Sequence, residues 1–259
     1  IGAVNTALEV VTREALGTKR PHPVALRGMA KVASEVEKGQ HSVMTTHREG
    51  RPDDHMKVGV VGVGARCRLA LNAELKGNEG VVTAACEPHH LARKRVAERL
   101  GKDPDSITIT SDVTGLIASG IDVAFVTSPD DTHAEITCQL LEAGIPVYLE
   151  KPLAITVTSA TRVLTTAFET GTKLYVGHNM RHMNVVRSMR DLIRTGRIGE
   201  VKAIWCRHFV GSGGDFYFKD WHATREHGTG LLLQKAAHDI DVMHLSLIHI
   251  SEPTRLRRI

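Results

Sequence analysis

Short apolar runs alternate with segments of helical length from residue 57 to residue 178. Several of these runs are continuously apolar, which is typical of strands buried on both faces of a sheet. A strand, a helix and a parallel strand joined at this spacing form a right-handed crossover. The pattern therefore predicts an α/β fold with a doubly wound parallel sheet, a Rossmann domain, over 56–178. The predicted strands are "KVGVVGV", "VVTAAC", "ITIT", "DVAFVTS", "VYLE" and "KLYVGH", and the predicted helices cover 65–76, 88–100, 112–119, 131–143 and 156–170.

The alternation breaks after Asn179. A helix is predicted near 184–195, followed by a longer strand, "VKAIWCRHFV", at 201–210. A glycine-rich loop at 211–230 then leads into a helix that carries His238. We interpret 179–244 as the beginning of a second, truncated α/β domain.

Both ends of the chain differ from this body. Residues 6–39 are compatible with amphipathic helices and 40–55 are polar, so 1–55 is interpreted as an N-terminal extension, either native or translated from upstream sequence. The segment "LSLIHISEPTR" resembles a translated transposase adapter from sequencing libraries. We therefore predict that 245–259 is a non-native tail and that the second domain is cut short.

Composition narrows the class of protein. The chain has 259 residues and a formal charge of +4, of which residues 56–244 contribute only +1. A nearly neutral body without a basic stripe argues against nucleic-acid binding. No apolar run approaches the roughly 20 residues that span a bilayer. The four cysteines are widely spaced without a CxxC pair, which predicts reduced thiols and a cytoplasmic location rather than a disulfide framework.

A glycine-rich turn follows the first predicted strand in "VGVVGVGARC". Gly62 and Gly64 occupy the first two glycine positions of a GxGxxG dinucleotide motif, and Cys67 occupies the third. A helix beginning near Ala65 would direct backbone N–H groups at a pyrophosphate. Glu87 ends the next strand, where an acid binds the adenosine ribose and repels a 2′-phosphate. The motif predicts NAD as cofactor, with NADP kept open by the basic residues after Glu87.

Two further groups of residues carry candidate chemistry. Glu150 and Lys151 in "LEKPLA" follow the fifth predicted strand, on the edge where doubly wound sheets bind ligands, although a plain surface pair is the alternative. His238 lies on the last predicted helix, on a face shared with Gln234, Lys235 and Asp241. From its position alone, His238 is more typical of a core residue than of an active site.

Five motifs in one order give the sequence a resemblance to a known family. They are "GVVGVGARCR" at 59–68, "TSPDDTHAE" at 127–135, "AGIPVYLEKPLA" at 143–154, "VGHNMRHM" at 176–183 and "AAHDIDVMH" at 236–244. In this order they resemble the Gfo/Idh/MocA oxidoreductases, which include glucose-fructose oxidoreductase and inositol dehydrogenases. The resemblance implies a Rossmann domain followed by an α/β domain, and a homo-oligomeric parent protein.

The resemblance also implies roles for individual residues. Lys151 and His238 would be catalytic, with a cis peptide bond before Pro152. The implied cofactor-binding residues are Gly62, Gly64, Ala65, Arg66, Cys67, Glu87, Thr127, Ser128, Pro129, His133, Glu150 and Lys151. The implied substrate-binding residues are Lys151, Gln234, Lys235 and His238. Asn179 and Arg181 are added because they lie at the predicted junction of the two domains, where they either contact substrate hydroxyls or cap the final strand. No metal site is predicted, because His178 and His182 have helical spacing but no third ligand.

One residue departs from the family pattern. The family commonly has Asp four residues before its catalytic histidine, where this chain has Gln234. An amide orients the imidazole but does not raise its pKa as a carboxylate does. The resemblance implies an NAD(P)-dependent dehydrogenase acting on a secondary hydroxyl or ketone of a sugar, cyclitol or related polyol. The alternatives are an NAD-dependent glycosidase that uses transient oxidation, and a non-catalytic dinucleotide-binding regulatory protein.

Overall fold

The computed structural model describes residues 55–75, 80–210 and 214–251, with side chains up to Ser246. The chain divides into two compact units. Among the described residues, the first unit runs to Gly177 and includes Asp220–Gly230, and the second comprises the remainder. The helices predicted within 6–39 and the polar segment up to residue 54 lie outside the described residues.

The first unit contains a six-stranded sheet. Its strands are β1 (Met56–Val61), β2 (Gly80–Cys86), β3 (Thr108–Thr110), β4 (Val123–Val126), β5 (Val147–Leu149) and β6 (Leu174–Val176). All neighbours pair in parallel, in the order β3-β2-β1-β4-β5-β6. This is the strand order of a doubly wound dinucleotide-binding sheet, whose ligands bind beyond the carboxyl ends of the strands. The Rossmann prediction is confirmed.

The crossovers of this unit contain five α-helices: α1 (His90–Arg93), α2 (Val96–Leu100), α3 (Val113–Ala118), α4 (His133–Glu142) and α5 (Val157–Thr170). The segment after β1 is a 3₁₀ helix, Cys67–Glu74, where an ordinary helix was expected. Side chains set several helix ends. The Asp112 carboxylate accepts a 2.7 Å hydrogen bond from the Gly115 N–H at the start of α3, and Gly171 ends α5 with a φ of 65°.

The core lies on both faces of the sheet. Val58 and Val60 of β1 enter one apolar cluster together with Val96 and Leu100 of α2. Val61, the next side chain along β1, enters the other cluster, which includes residues of α3, α4 and α5. Successive strand residues point to opposite faces, so a run of valines is buried on both sides. The carboxyl ends of the strands are thereby held at one rigid edge.

The second unit is helical in its described part. It contains α6 (Asn184–Arg194), α7 (Leu231–Gln234) and α8 (Ala236–Ser251), with a 3₁₀ turn at Asn179–His182. The strand predicted at 201–210 is wrong: these residues form no strand, and both Trp205 and Phe209 are exposed. A strand is stabilised by its pairing, and no strand of the described residues lies beside this segment. Within the described ranges, every helix is too short or too polar to cross a bilayer.

Candidate functional site

The turn after β1 is shaped by Gly62. Its φ is +80°, and a Cβ at this position would lie 2.5 Å from the Cα of Ser128. The Thr127 hydroxyl reinforces the contact by donating a 2.7 Å hydrogen bond to the Gly62 carbonyl. Glycine is therefore required here for two reasons, its left-handed backbone and the close approach of the loop after β4.

Gly64 differs from Gly62 because its free side faces open space. A Cβ built on Gly64 meets nothing within 4 Å, and Ala65 and Arg66 beside it are exposed. The third motif position, Cys67, is buried against the sheet, and burial raises the pKa of its thiol. The backbone of this turn is accessible to a ligand, as the approach of a pyrophosphate requires. These residues fit a bound dinucleotide.

Glu87 lies directly after β2 and next to this turn. Its Oε2 accepts a 3.1 Å hydrogen bond from the Val63 N–H, and its Oε1 accepts one of 3.0 Å from the His89 N–H. Two backbone donors hold the carboxylate in place, and each oxygen keeps a further lone pair for a ribose hydroxyl. A fixed negative charge here repels a 2′-phosphate, which favours NAD over NADP.

Glu150 connects the loop after β5 to the glycine-rich turn. It is only 5% exposed, and its Oε1 lies 2.9 Å from Nη2 of Arg66. Its Oε2 accepts a 3.2 Å hydrogen bond from the backbone N–H of Lys151. The carboxylate therefore fixes both the exposed Arg66 and the backbone of Lys151. The peptide bond between Lys151 and Pro152 is cis, as predicted.

His133 begins α4 and lies beneath this edge with 1% of its surface exposed. Its Nδ1 is 2.7 Å from the Pro152 carbonyl oxygen and its Nε2 is 3.0 Å from the Ser128 carbonyl oxygen. The sequence placed His133 among the cofactor ligands, and a direct contact stays a prediction. Its ring contacts both loops that border the site, the one after β4 and the one after β5.

In the second unit a buried carboxylate, that of Asp241, binds one of the predicted substrate residues, Arg181. Asp241 accepts two hydrogen bonds from the Arg181 guanidinium, of which the one from Nε is 2.6 Å long. Nδ1 of His178 is 3.8 Å from Asp241 Oδ2, and the His178 ring meets the His238 ring edge-on at 5.9 Å. Asp241 was not among the predicted site residues. Its position three residues after His238 could have indicated a site residue, but its partner Arg181 is 60 residues away in the chain.

Gln234 and His238 belong to two separate helices, since α7 ends at Gln234 and α8 begins at Ala236. The single helix expected here is wrong in this respect. Both side chains are nevertheless buried, at 1% and 7% exposure, whereas Lys235 between them is partly exposed and Asn179 is exposed. Of the predicted substrate residues, Lys235 and His238 are in direct contact, since the His238 N–H donates a 3.3 Å hydrogen bond to the Lys235 carbonyl oxygen.

The segment Asp220–Gly230 packs with the first unit. Its His227 lies with Nδ1 2.7 Å from Oδ2 of Asp131, in the 3₁₀ turn that follows Pro129. The hydrogen bond that His227 donates to the Asp131 carboxylate, aided by the charges of Asp131 and Glu226, raises the pKa of His227 above its ordinary value. This link was not foreseen from the sequence.

The His227–Asp131 pair should make the segment Asp220–Gly230 sensitive to pH. Because the pKa is raised in the folded chain, the pair is fully formed below the ordinary histidine pKa and is lost as the pH rises through the raised value. We expect the amide protection factors of this segment, corrected for intrinsic exchange, to be higher at pH 6 than at pH 9. In His227→Ala they should not change with pH, and an unchanged pH dependence in that variant would contradict the assignment.

The described residues contain no group of three or more His, Cys, Asp or Glu side chains that could hold a metal ion.

Comparisons with known proteins agree with the dinucleotide site described above. Residues 56–178 match a family model described as "Oxidoreductase family, NAD-binding Rossmann fold", and residues 186–255 match the GFO/IDH/MocA C-terminal domain. The chain belongs to the Gfo/Idh/MocA family. Its first unit is an NAD-binding Rossmann domain.

Relatives within the Gfo/Idh/MocA family include named dehydrogenases. Myo-inositol dehydrogenase of Streptomyces leeuwenhoekii is 35% identical over 46% of this chain and 38% of its own length. Inositol 2-dehydrogenase of Klebsiella pneumoniae is 30% identical over 65% of this chain and 50% of its own length. The chain thus spans about half or less of the curated relatives that it matches.

A solved dehydrogenase structure has the same fold. The WlbA dehydrogenase of Bordetella pertussis, crystallised with NADH and UDP-GlcNAcA, superposes with a TM-score of 0.63 at 20% identity. The match covers 76% of this chain and 57% of that protein. At this identity the likeness concerns the fold alone.

Proposed function

We propose that the protein is an NAD-dependent dehydrogenase that oxidises a secondary hydroxyl of a sugar, cyclitol or related polyol, or reduces the corresponding ketone. The open face of Gly64, at the same sheet edge as Glu150 and Lys151, carries this proposal. The names of the inositol dehydrogenases among the relatives support the substrate class. Bound NAD would supply the hydride acceptor.

Lys151 is proposed to bind the reacting hydroxyl. It follows β5, and its backbone is fixed by the hydrogen bond to the buried Glu150 carboxylate. An ammonium group beside the alcohol oxygen becomes more favourable as negative charge develops there, so it stabilises the transition state more than the ground state. The Arg66–Glu150 pair prevents Glu150 from remaining an isolated buried charge next to that lysine.

His238 is proposed as the general base that takes the alcohol proton. Imidazole changes protonation near neutrality, which suits proton transfer to and from an alcohol. The ring is buried and lies edge-on to His178, which in turn lies near Asp241. The buried Asp241 carboxylate accepts hydrogen bonds from the Arg181 guanidinium, and Arg181 together with Asn179 and Lys235 is proposed to contact substrate oxygens.

Gln234 is proposed to contact substrate or orient the imidazole through its amide. It is buried in α7 and brings no charge to His238. The amide therefore orients the imidazole without supplying the negative charge that a carboxylate at this position would place beside it. We also propose a cytoplasmic, homo-oligomeric parent protein. The free thiols of Cys67, Cys86, Cys138 and Cys206 support a reducing compartment.

The proposal is tested by mixing the chain with NAD⁺ and a panel of cyclitols, aldoses and sugar acids and following absorbance at 340 nm. We expect NADH to form with at least one secondary alcohol, and more slowly with NADP⁺ because of Glu87. Binding of NADH without turnover of any panel member, in either direction, would favour a dinucleotide-binding regulatory protein. Cleavage of a glycoside without net NADH would favour the glycosidase alternative.

A further inference from the structure

His133 occupies an unusual position for a buried histidine. It is 1% exposed, yet both of its ring nitrogens lie within hydrogen-bond distance of backbone carbonyl oxygens. Those carbonyls belong to Ser128 and Pro152, which are 24 residues apart in the chain. One imidazole therefore connects the loop that follows β4 to the loop that follows β5.

These two loops border different parts of the nucleotide site. The backbone of Ser128 packs against Gly62, in the turn where a pyrophosphate would bind. Pro152 follows Lys151, the residue proposed to act at the nicotinamide end. The separation of the loops consequently sets the distance between the glycine-rich turn and the reacting end of a bound dinucleotide.

The protonation state of the His133 ring determines how many of the two carbonyl oxygens it donates to. Both partners are acceptors, and a neutral imidazole carries one N–H, whereas a protonated one carries two. Burial lowers the pKa of His133, while the two carbonyl contacts and the Glu150 charge oppose that shift. A neutral ring donates its single proton to one of the two carbonyls, whereas a protonated ring donates to both.

Two simpler roles agree less well with these contacts. A direct ligand of the cofactor needs an accessible polar atom, and the ring of His133 is enclosed with both nitrogens directed at protein carbonyls. A residue that only fills the core would need no polar atoms. An apolar side chain of the same shape would avoid the desolvation of two nitrogens.

We propose that His133 is a positioning residue that fixes the spacing between the Ser128 loop and the Lys151–Pro152 loop, and thereby couples binding of the adenosine half of NAD to binding of its nicotinamide half. This inference rests on the orientation of the dinucleotide in the proposed function. It assigns to the side chain an effect on binding that is separate from hydride transfer.

The test compares two ligands, NADH and ADP-ribose, which lacks the nicotinamide. Dissociation constants are measured by calorimetry for wild type, His133→Phe, His133→Asn and a control, Thr137→Val. Phe keeps the ring and removes both nitrogens, while Asn keeps a donor near the Nδ1 position. Thr137 is fully buried on α4 one turn further along, so its substitution reports a general effect of altering that helix.

We expect His133→Phe to weaken NADH binding about tenfold, the order of one lost hydrogen bond, and ADP-ribose binding less than twofold. Asn should recover much of the preference for NADH, and Thr137→Val should retain it in full. If both ligands weaken by the same factor in His133→Phe, or if neither weakens, the proposal is overturned. The proposal is also overturned if the wild-type protein binds NADH and ADP-ribose with equal dissociation constants.

Because neither ligand is turned over in this assay, its outcome does not depend on finding a substrate. Circular dichroism establishes that each variant is folded before titration. If His133→Phe does not fold, His133→Asn carries the test with a smaller expected change, about threefold for NADH. Equal weakening of both ligands in that variant would likewise overturn the proposal.

Discussion

Replacing Lys151 by alanine is expected to lower kcat by about 10²- to 10³-fold, the range seen when one donor to a developing oxyanion is removed. The dissociation constant for NADH should change by less than about threefold. The reason is that the backbone of residue 151 and its partner Glu150 remain, while only the ammonium group is lost. Steady-state kinetics at saturating NAD⁺, combined with NADH titration, separate the two effects.

The matched control for this substitution is Lys173→Ala. Lys173 is exposed immediately before β6, and its backbone carbonyl, which the substitution keeps, accepts a hydrogen bond from the Val147 N–H. Removing its side chain should leave turnover and binding unchanged. If Lys151→Ala retains wild-type kcat on a substrate that wild type oxidises, Lys151 does not stabilise the alkoxide and the proposed mechanism is wrong.

The glycine-rich turn provides a second pair of variants, one expected to lower stability and the other expected to weaken NADH binding. Gly62→Ala places a methyl group 2.5 Å from the Ser128 Cα and requires a left-handed backbone from alanine. Strain and overpacking together should lower the free energy of unfolding by about 2 to 5 kcal/mol. Chemical denaturation monitored by circular dichroism measures this loss.

Gly64→Ala is the control, because a Cβ there meets no protein atom within 4 Å. We expect its free energy of unfolding to stay within about 1 kcal/mol of wild type. Its dissociation constant for NADH should rise about tenfold or more, since the methyl group occupies the approach of the pyrophosphate. Equal destabilisation by the two substitutions would contradict the different environments assigned to these glycines.

The parallel sheet was predictable because the residues of each strand indicate how that strand is buried. Val58, Val60 and Val61 are consecutive or nearly so, and a run of this kind is stable only when both faces are covered. Gly62 and Gly64 follow at the spacing that a dinucleotide turn requires. These are local properties of the sequence, and the structure confirms both the turn and the strand order around it.

The contacts that complete the site were not predictable, because they join residues far apart in the chain. Arg66 and Glu150 are 84 residues apart, and nothing in either neighbourhood indicates that one neutralises the other. The same applies to His133 with Pro152 and to Arg181 with Asp241. Sequence motifs placed most of these residues near a site but not in contact with these partners.

The prediction of a strand at 201–210 was wrong for a related reason. Its residues have high strand propensity, with Trp205 and Phe209 among them, but pairing requires a neighbour that the sequence of the segment does not specify. The 3₁₀ helix at Cys67–Glu74 is a smaller case. No side chain caps its start, and its first turn contains no acid, so the amphipathic pattern alone did not fix the helix type.

A structure of the protein with bound NADH is the most direct test of these assignments. We expect the pyrophosphate against the backbone of 64–67, the adenosine ribose hydroxyls on the Glu87 carboxylate and the nicotinamide on the side of Lys151. A dinucleotide bound in the opposite direction, or away from the carboxyl edge of the sheet, would contradict them. In that case the roles assigned to Glu87, His133 and Lys151 would all fail together.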